Sequence, residues 1–312
     1  MAATVIFLMG PTASGKTDVA IELCRQHPCE IISVDSALIY REMNIGTAKP
    51  TAAVLADSPH ALINIRNPDE QYSVAEFCND ANCHIDEILR RGHTPLLVGG
   101  TIMYFHALQF GLSELPATND KIRQQIEAEI QLKGAAALHA RLRQVDATAA
   151  ARIHPNDRQR IQRALEVFEN TGSTLTAWQQ KPKFIRDDLD IHTWGLFPED
   201  RAWLHQNIEQ RFDSMLKHGA VEELQALRQN WTLSPSLPSM RCIGYRQLWS
   251  YLEGDITYAE MREQGIAATR QLAKRQLTWL RGYPKVRLID PAIQDISGLA
   301  GQISCDLPVS NC

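Results

Sequence analysis

The chain has 312 residues, of which 44% are apolar and 22% are charged, a composition that predicts a folded protein with room for two domains. Its net charge of −4 at pH 7 argues against a protein whose whole surface binds nucleic acid, because such surfaces are strongly basic. The seven cysteines are odd in number and contain no C-x-x-C pair, which argues against a disulfide framework and a zinc site.

Apolar patterning limits the membrane association and the compartment that we expect. No apolar run approaches the roughly 20 residues of a membrane span, so no membrane contact is expected. Residues 1–4 lack the basic region of a secretory signal and lead directly into an apolar segment. We therefore expect a cytoplasmic protein.

The first predicted element is a short apolar strand, residues 5–8, followed by G-x-x-x-x-G-K-T and a helical pattern. This order of strand, loop and helix is the context that a phosphate-binding P-loop requires. Glycines allow the backbone to approach an oxyanion closely, successive N–H groups then face it, and the lysine adds a positive charge. The threonine hydroxyl is the usual magnesium ligand. The residues predicted to bind a phosphate or diphosphate are Gly10, Pro11, Thr12, Ala13, Ser14, Gly15, Lys16 and Thr17.

Strands and helices continue to alternate up to residue 101, which predicts a parallel sheet covered by helices on both faces. Ligands of such sheets bind at the carboxyl ends of the strands, so the P-loop, Asp35 and Thr101 are expected to converge on one crevice. The elements predicted after the P-loop are a helix over 16–26, strands over 30–34 and 61–65, a helix over 73–91 that opens with an S-x-x-E capping box, and a strand over 95–98.

Asp35 and the turn at residues 99–101 each allow more than one role from spacing alone. Asp35 is a magnesium-holding carboxylate if the ligand is a nucleotide, a general base if it is catalytic, or the N-cap of the following segment. The turn Gly99-Gly100-Thr101 is a tight connection between a strand and a helix, or it presents the Thr101 hydroxyl to a reacting oxygen.

The composition changes after Pro116, where the chain becomes polar and helical up to about residue 180. We predict an α/β fold: a P-loop NTPase-like parallel sheet flanked by helices, with an inserted small all-helical domain. The sheet is assigned to residues 1–116 and 190–290 and the insertion to 117–189, whereas 291–312 are expected to be a flexible tail. The later predicted elements are helices over 121–133, 135–145, 158–169, 201–217 and 258–281 and strands over 191–196 and 286–289.

Three segments concentrate positive charge. Arginines 158, 160 and 163 open a helix, a pattern that on its own favours a solvated charged face over a binding site. Residues 241–246 place two guanidinium groups around a glycine, a common arrangement for phosphates. No acidic residue lies between Glu263 and Asp290, and Arg270, Lys274 and Arg281 share one helix face there. That basic face suits an RNA backbone or the acidic surface of a partner protein.

Six strings together closely resemble the bacterial tRNA dimethylallyltransferase family, also called tRNA isopentenyltransferases. They are GPTASGKT, ISVDSALIYREMNIGTAKP, LLVGGT, ARIHPNDRQRIQRALEVF, LPSMRCIGYRQLWSYLEG and ATRQLAKRQLTWLRG, in one order from about Val5 to Gly282. The P-loop alone is shared by many unrelated enzymes, whereas DSALIY followed by IGTAKP, HPND and GYRQ is far more specific. Related eukaryotic enzymes add a C-terminal zinc finger, for which this chain lacks the cysteines and histidines.

The resemblance implies transfer of a dimethylallyl group from its diphosphate to the exocyclic amine of the adenosine directly 3′ of the anticodon, in tRNAs that read codons beginning with U. It implies that the P-loop and Arg246 bind dimethylallyl diphosphate, that Thr17 helps to bind Mg²⁺, and that Asp35, Thr101 and Lys16 are catalytic, with Asp35 accepting the amine proton. The tRNA anticodon stem-loop is the implied partner, and we expect a monomer. The residues implied to meet tRNA are Asp35, Ser36, Ala37, Leu38, Thr101, Arg123, Gln159, Arg160, Ile161, Gln162, Arg163, Arg241, Cys242, Ile243, Gly244, Tyr245, Arg246, Lys274, Arg275, Gln276, Leu277, Thr278, Trp279, Leu280 and Arg281.

Two other interpretations stay open from the sequence. The first is an ATP-dependent kinase or NTPase acting on RNA, which rests on the P-loop and on Asp35 as a magnesium carboxylate. The absence of a second nucleotide motif and the presence of the basic helix count against it. The second is a non-catalytic P-loop protein that binds RNA, against which the complete set of Lys16, Thr17, Asp35 and Thr101 counts.

Overall fold

The structure is a computed structural model that describes residues 2–113, 115–117 and 119–307. Contacts divide the chain into two compact units. The core unit comprises Met1–Gln109 and Arg186–Cys312, and the insertion unit comprises Phe110–Ile185. The insertion unit therefore begins and ends a few residues before the predicted insertion at 117–189.

The core unit is built on one six-stranded sheet with the order β3-β2-β4-β1-β5-β6, in which every neighbouring pair is parallel. The central strands are almost entirely buried, as expected where helices cover both faces of a parallel sheet. The predicted α/β fold with a parallel sheet is therefore confirmed. The strands are β1 (Ala3–Met9), β2 (Cys29–Val34), β3 (His60–Ala61), β4 (Thr94–Gly99), β5 (Leu189–Leu196) and β6 (Arg287–Ile289).

The helices pack in three places. Some cover the sheet, others form a second apolar cluster in the core unit, and those of the insertion unit form a core of their own. Val19, Ala20 and Leu23 pack in the cluster that includes the sheet, whereas Leu204, Phe212 and other apolar side chains form a separate helical cluster. In chain order the helices are α1 (Lys16–Gln26), α2 (Ala52–Asp57), α3 (Val74–Arg90), α4 (Ile102–Phe110), α5 (Asp120–Lys133), α6 (Ala135–Val145), α7 (Ala147–Arg152), α8 (Arg158–Thr171), α9 (Leu175–Gln179), α10 (Arg201–Lys217), α11 (Ala220–Asn230), α12 (Tyr245–Leu252), α13 (Tyr258–Arg281) and α14 (Ile296–Ser304).

The structure confirms the predicted start of α3 and shortens the strand predicted over 61–65. The capping box of α3 is confirmed, because the Ser73 hydroxyl accepts from the Glu76 N–H at 3.1 Å while the Glu76 carboxylate accepts from the Ser73 N–H at 2.8 Å. The strand predicted over 61–65 is wrong beyond Ala61. Leu62 and Asn64 have φ angles of 63° and 57°, a left-handed conformation that interrupts strand pairing.

The predicted flexible tail is also wrong where the structure describes it. Asp295 caps α14 by accepting from the Gly298 N–H at 2.8 Å, and Leu299, Ala300 and Ile303 are buried against the sheet and α1. Further on, the Asp306 carboxylate accepts from the Trp194 indole at 2.9 Å. Residues 308–312 of the predicted tail lie outside the described residues.

This packing predicts a stability effect that a flexible tail would not show. Because Leu299 is 3% exposed, Leu299→Ala should lower the free energy of unfolding by about 2–5 kcal/mol through lost burial and the cavity it leaves. Ile293→Ala removes a side chain that is 77% exposed and should cost less than about 0.5 kcal/mol. Urea denaturation of the two variants measures the difference, and equal small losses would support a tail that does not pack.

The insertion unit is a small helical bundle with its own core. Ile126, Ile130, Leu142 and Leu165 are buried in one cluster formed by α5 to α9. The helix predicted over 121–133 is confirmed as α5, on which Ile126 and Ile130, spaced four apart, turn inward. The insertion unit therefore does not depend on the sheet for its apolar core.

Candidate functional site

Three loops that follow sheet strands meet at one edge of the core unit. Gly99, at the end of β4, is in register with Met9 of β1 and with Val34 of β2, so these strands end at the same level. The P-loop, Asp35 and Thr101 come immediately after those three ends. The Thr101 hydroxyl accepts from the Ser36 N–H at 3.1 Å, which joins the loop after β4 to the loop after β2. The predicted convergence is confirmed.

A cavity of about 530 Å³ lies at this edge, and a second cavity of about 870 Å³ shares part of its wall. Both are lined by Ala13, Lys16, Thr17 and Arg211, so the P-loop faces two openings. The first cavity is also lined by polar groups from the other two loops and by apolar side chains, among them Asp35, Ser36, Thr101, Tyr104, Phe212, Met215, Cys242, Leu272 and Gln276.

The P-loop contains Lys16, a partly buried lysine whose amine is shielded from water. Ala13 and Gly15 adopt left-handed φ angles of 61° and 84°, which curl the loop before α1 begins. The Lys16 amine donates to the Pro11 carbonyl at 2.5 Å. Burial, helped by the nearby Arg211, lowers the pKa of Lys16 to about 7, although the Asp35 carboxylate opposes the shift. An anion bound in the loop would restore the favourable environment of the protonated amine.

The lowered pKa of Lys16 predicts that stability depends on pH. Above pH 7 the unfolded chain holds a proton at Lys16 that the folded protein has lost, so folding becomes more favourable as the pH rises toward the unfolded value. The wild type should therefore gain stability relative to Lys16→Met between pH 7 and pH 9, by up to about 1.4 kcal/mol per pH unit. Urea denaturation at both pH values tests this, and a constant difference between the two proteins would contradict it.

Arg211 on α10 is a second cation in the cavity, and no sequence motif points to it. Its guanidinium donates to the Ala48 carbonyl at 3.5 Å. Burial lowers the pKa of Arg211, while attraction to Asp35 and Asp18 acts in the opposite direction. The residue lies in an ordinary amphipathic helix far from any motif, so only the fold brings it to the P-loop.

Asp35 combines the cap role and the cavity role that the sequence left open. Its Oδ1 accepts from the Ala37 N–H at 2.7 Å and from the Leu38 N–H at 3.3 Å, which holds a turn rather than the start of a helix. The carboxylate also lines the cavity and attracts Lys16 and Arg211. The turn fixes the position of the carboxylate relative to those two cations.

The segment from Tyr40 to Pro50 forms another wall and is fixed by the half-buried Glu223 and the buried Lys49. The Glu223 carboxylate accepts from three successive backbone N–H groups, those of residues 44, 45 and 46, at 2.7–2.9 Å. It also accepts from the Tyr245 hydroxyl at 2.5 Å. The buried Lys49 amine donates to the Tyr40 carbonyl at 2.6 Å, and burial lowers its pKa to about 8. This wall is therefore anchored independently of any ligand.

The segment 241–246, in which the sequence predicts a phosphate-binding arrangement, is divided between the cavity and the outer surface. Arg241, Cys242 and Ile243 line the cavity, and burial raises the pKa of the Cys242 thiol to about 12. Gly244 has a φ of 96° and lets α12 begin with the fully buried Tyr245. The next residue on the helix, Arg246, consequently faces outward and is exposed. This position does not support the predicted contact of Arg246 with a diphosphate, and Arg211 lies in the cavity instead.

Helix α13 separates the predicted tRNA residues into an outer and an inner set. The outer side chains are exposed: Lys274, Arg275, Thr278, Trp279 and Arg281. Gln276 and Leu280 are buried, and Leu277 is half-buried, so their side chains do not belong to an RNA-facing surface. The basic face is also shorter than predicted, because the Arg270 guanidinium pairs with Glu209 at 3.0 Å.

The predicted tRNA residues of the insertion unit lie together on that unit. The Gln162 amide donates to the Arg123 carbonyl at 3.3 Å, which joins α8 to α5. Arg123, Gln159 and Arg160 are exposed, whereas Ile161 is fully buried in the unit's core. Arg163 donates to the Pro116 carbonyl at 2.9 Å and is half-buried.

The part of the chain that the structure describes contains no group of three or more His, Cys, Asp or Glu side chains placed to hold a metal ion. Thr17 lines both cavities at the start of α1. This set fits magnesium bound mainly by substrate phosphates and water with one or two protein ligands, and it does not fit a metal enclosed by protein.

Comparison with known proteins places the chain in a family. The family model described as IPP transferase matches residues 38–283. The chain belongs to the IPP transferase family. Two curated relatives, both named tRNA dimethylallyltransferase, support this membership of the IPP transferases. The protein from Legionella pneumophila strain Paris is 56% identical over 89% of each chain, and that from Thioalkalivibrio sulfidiphilus is 50% identical over 98% of this chain and 96% of its own.

Solved structures of IPP transferases are similar over nearly the whole chain. The full-length tRNA isopentenylpyrophosphate transferase from Bacillus halodurans is 34% identical with a TM-score of 0.71, covering 98% of this chain and 97% of its own. A eukaryotic dimethylallyltransferase acting on tRNA is 26% identical with a TM-score of 0.77, covering 95% of this chain and 75% of its own. Among the described residues, no helix has both the length and the apolar character that a bilayer span needs.

Proposed function

We propose that this protein transfers the dimethylallyl group of dimethylallyl diphosphate to the exocyclic amine of the adenosine directly 3′ of the anticodon, in tRNAs that read codons beginning with U. One observation carries the proposal: the P-loop, with Lys16 and Arg211, faces Asp35 and Thr101 across a single cavity. A diphosphate leaving group and a base for an amine proton are the two functions that this reaction needs. Membership of the IPP transferase family supports the same chemistry.

On the diphosphate side, the protein stabilises the leaving group. The allylic C–O bond breaks with its electron pair going to the diphosphate, and the allylic cation is delocalised. The N–H groups of residues 13–17 and the helix dipole of α1 lie nearest the developing negative charge, to which Lys16 and Arg211 add positive charge. The apolar side chains of Phe212, Met215 and Leu272 provide a surface for the five-carbon chain.

On the acceptor side, Asp35 removes the proton that the amine loses as the N–C bond forms. The lone pair of an adenine amine is drawn into the ring, so attack requires this proton to leave. A positioned base contributes about 10²–10⁴ in rate. Thr101 supports the same centre, because its hydroxyl already lies against Ser36, next to Asp35. The adenine must leave the anticodon stack to reach this cavity, which costs a few kcal/mol.

Mg²⁺ is the cofactor in this proposal. Thr17 would hold it together with diphosphate oxygens, and the ion would supply further positive charge to the leaving group. The exposed side chains of α13, from Lys274 to Arg281, and those of Arg123, Gln159 and Arg160 on the insertion unit would contact the tRNA anticodon stem-loop. We propose that the protein acts as a monomer in the cytoplasm, where tRNA is modified.

The decisive experiment is incubation of unmodified tRNA with dimethylallyl diphosphate and Mg²⁺, followed by mass spectrometry of the tRNA nucleosides. Adenosine that gains a dimethylallyl group at the position 3′ of the anticodon would support the proposal. A parallel reaction with ATP tests the kinase or NTPase interpretation. ATP-dependent release of phosphate without any prenylated nucleoside would overturn the proposed function in favour of that alternative.

A further inference from the structure

Gln276 is the one polar side chain of the α13 segment 274–281 that turns away from solvent. It is 8% exposed, whereas its neighbours Lys274 and Arg275 are exposed. Both polar atoms of its side-chain amide form hydrogen bonds. Oε1 accepts from the Thr12 N–H at 2.9 Å, and Nε2 donates to the Gly100 carbonyl at 2.8 Å. A single side chain therefore links α13 to two of the three loops that form the cavity.

The two backbone groups that Gln276 holds belong to opposite sides of the site. Thr12 lies in the P-loop, directly before Ala13 with its left-handed φ of 61°. Gly100 directly precedes Thr101, whose hydroxyl contacts Ser36 beside Asp35. The contact with Gly100 is so close that a Cβ atom there would lie 2.4 Å from Nε2 of Gln276. The pairing of β1 with β4 brings the two loops together, and the Gln276 amide adds a direct link between the P-loop and the Thr101 turn beyond the strand ends.

We propose that Gln276 is a positioning residue that fixes the P-loop and the Thr101 turn relative to each other, so that the leaving group and the acceptor amine meet at reacting distance. This inference rests on the proposed function. It differs from the role that the sequence resemblance implied for Gln276, which was contact with tRNA. Errors of about 1 Å in such an alignment cost on the order of 100-fold in rate, because the reacting atoms must approach closely in one orientation.

The amide chemistry gives variants that separate positioning from simple packing. Gln276→Met keeps the approximate volume but removes the donor and the acceptor. Gln276→Glu keeps the shape and an acceptor for Thr12, yet when ionised it sets a carboxylate oxygen against the Gly100 carbonyl. A protonated glutamic acid has an O–H donor again and restores both hydrogen bonds. The activity of Gln276→Glu relative to wild type should therefore recover as the pH is lowered, whereas that of Gln276→Met should not.

The experiment measures kcat for allyl transfer, tRNA affinity and melting temperature for wild type, Gln276→Met, Gln276→Glu and Gln271→Met. Gln271 is exposed on the same helix and gives a matched control. We expect both Gln276 variants to lose roughly 10- to 100-fold in kcat at pH 8, with tRNA affinity within about 2-fold of wild type and with Gln271→Met unchanged.

Three outcomes would overturn the inference and can be told apart from failure of the proposed function. If wild type and Gln271→Met transfer the allyl group and the Gln276 variants match their kcat, Gln276 does not position the site. If the loss of activity only follows a loss of folded protein, or if Gln276→Glu shows no recovery at low pH, the role is structural. If wild type itself transfers nothing, the proposed function and the inference both fail.

Discussion

Replacing Asp35 by Asn is expected to lower kcat for allyl transfer by about 10²–10⁴ while leaving tRNA affinity nearly unchanged. The amide oxygen of Asn can still accept from the Ala37 and Leu38 N–H groups, so the turn that Asp35 holds should persist. What the variant loses is a group able to take the proton from the adenine amine. Steady-state kinetics at saturating tRNA and dimethylallyl diphosphate measures kcat, and a binding titration with tRNA measures the affinity.

A matched change elsewhere controls for the loss of one negative charge. Asp69 is exposed, so Asp69→Asn alters the net charge equally and should leave kcat unchanged. If Asp35→Asn turned over at nearly the wild-type rate, Asp35 would not be the base. A large loss of tRNA affinity in Asp35→Asn would instead assign the residue to recognition.

Arg211→Met is expected to lower kcat/KM for dimethylallyl diphosphate by about 10²–10³, the usual cost of removing one group that stabilises a developing anion. The same variant should be no less stable than wild type. The lowered pKa of Arg211 reflects the cost of burying its positive charge, and methionine fills a similar volume without that cost. Steady-state kinetics and thermal melting of the ligand-free protein test both parts.

Arg201→Met provides the comparison, because Arg201 is exposed at the start of the same helix. It should leave both kinetics and melting temperature near the wild-type values. A stable Arg211→Met protein with normal kcat/KM would remove Arg211 from the diphosphate site. A marked drop in melting temperature would show that the guanidinium stabilises the fold through its contact with the Ala48 carbonyl.

The sequence predicts the parts of this protein in which a local pattern has a local cause. The P-loop, the capping box of Ser73 and Glu76 and the buried strands follow from spacing within short segments, and all of them recur in the structure. The convergence of Asp35 and Thr101 with the P-loop also follows, because parallel strands end at a common edge.

What the sequence does not predict depends on contacts between distant segments. Arg211 reaches the cavity only because α10 packs beside the P-loop, and Gln276 is grouped with its basic neighbours in the sequence although its side chain points inward in the folded helix. The outward position of Arg246 depends on Tyr245 being the side chain that packs inward. The end of the chain likewise lacks a strong helical signal but has apolar side chains that complete the cluster around α1.

Glu223 gives the cavity a property that its shape alone does not reveal. Residues 44–46 present their N–H groups to a carboxylate, in the way we propose that the P-loop presents its own to a diphosphate. Under the proposed function the P-loop would exchange its occupant in every catalytic cycle, whereas the occupant of the cradle at residues 44–46, Glu223, is covalently part of the chain. Because Glu223 always occupies its cradle, the Tyr40–Pro50 wall of the cavity is held by contacts within the chain. That wall would therefore keep its position whether the P-loop is empty or holds a diphosphate.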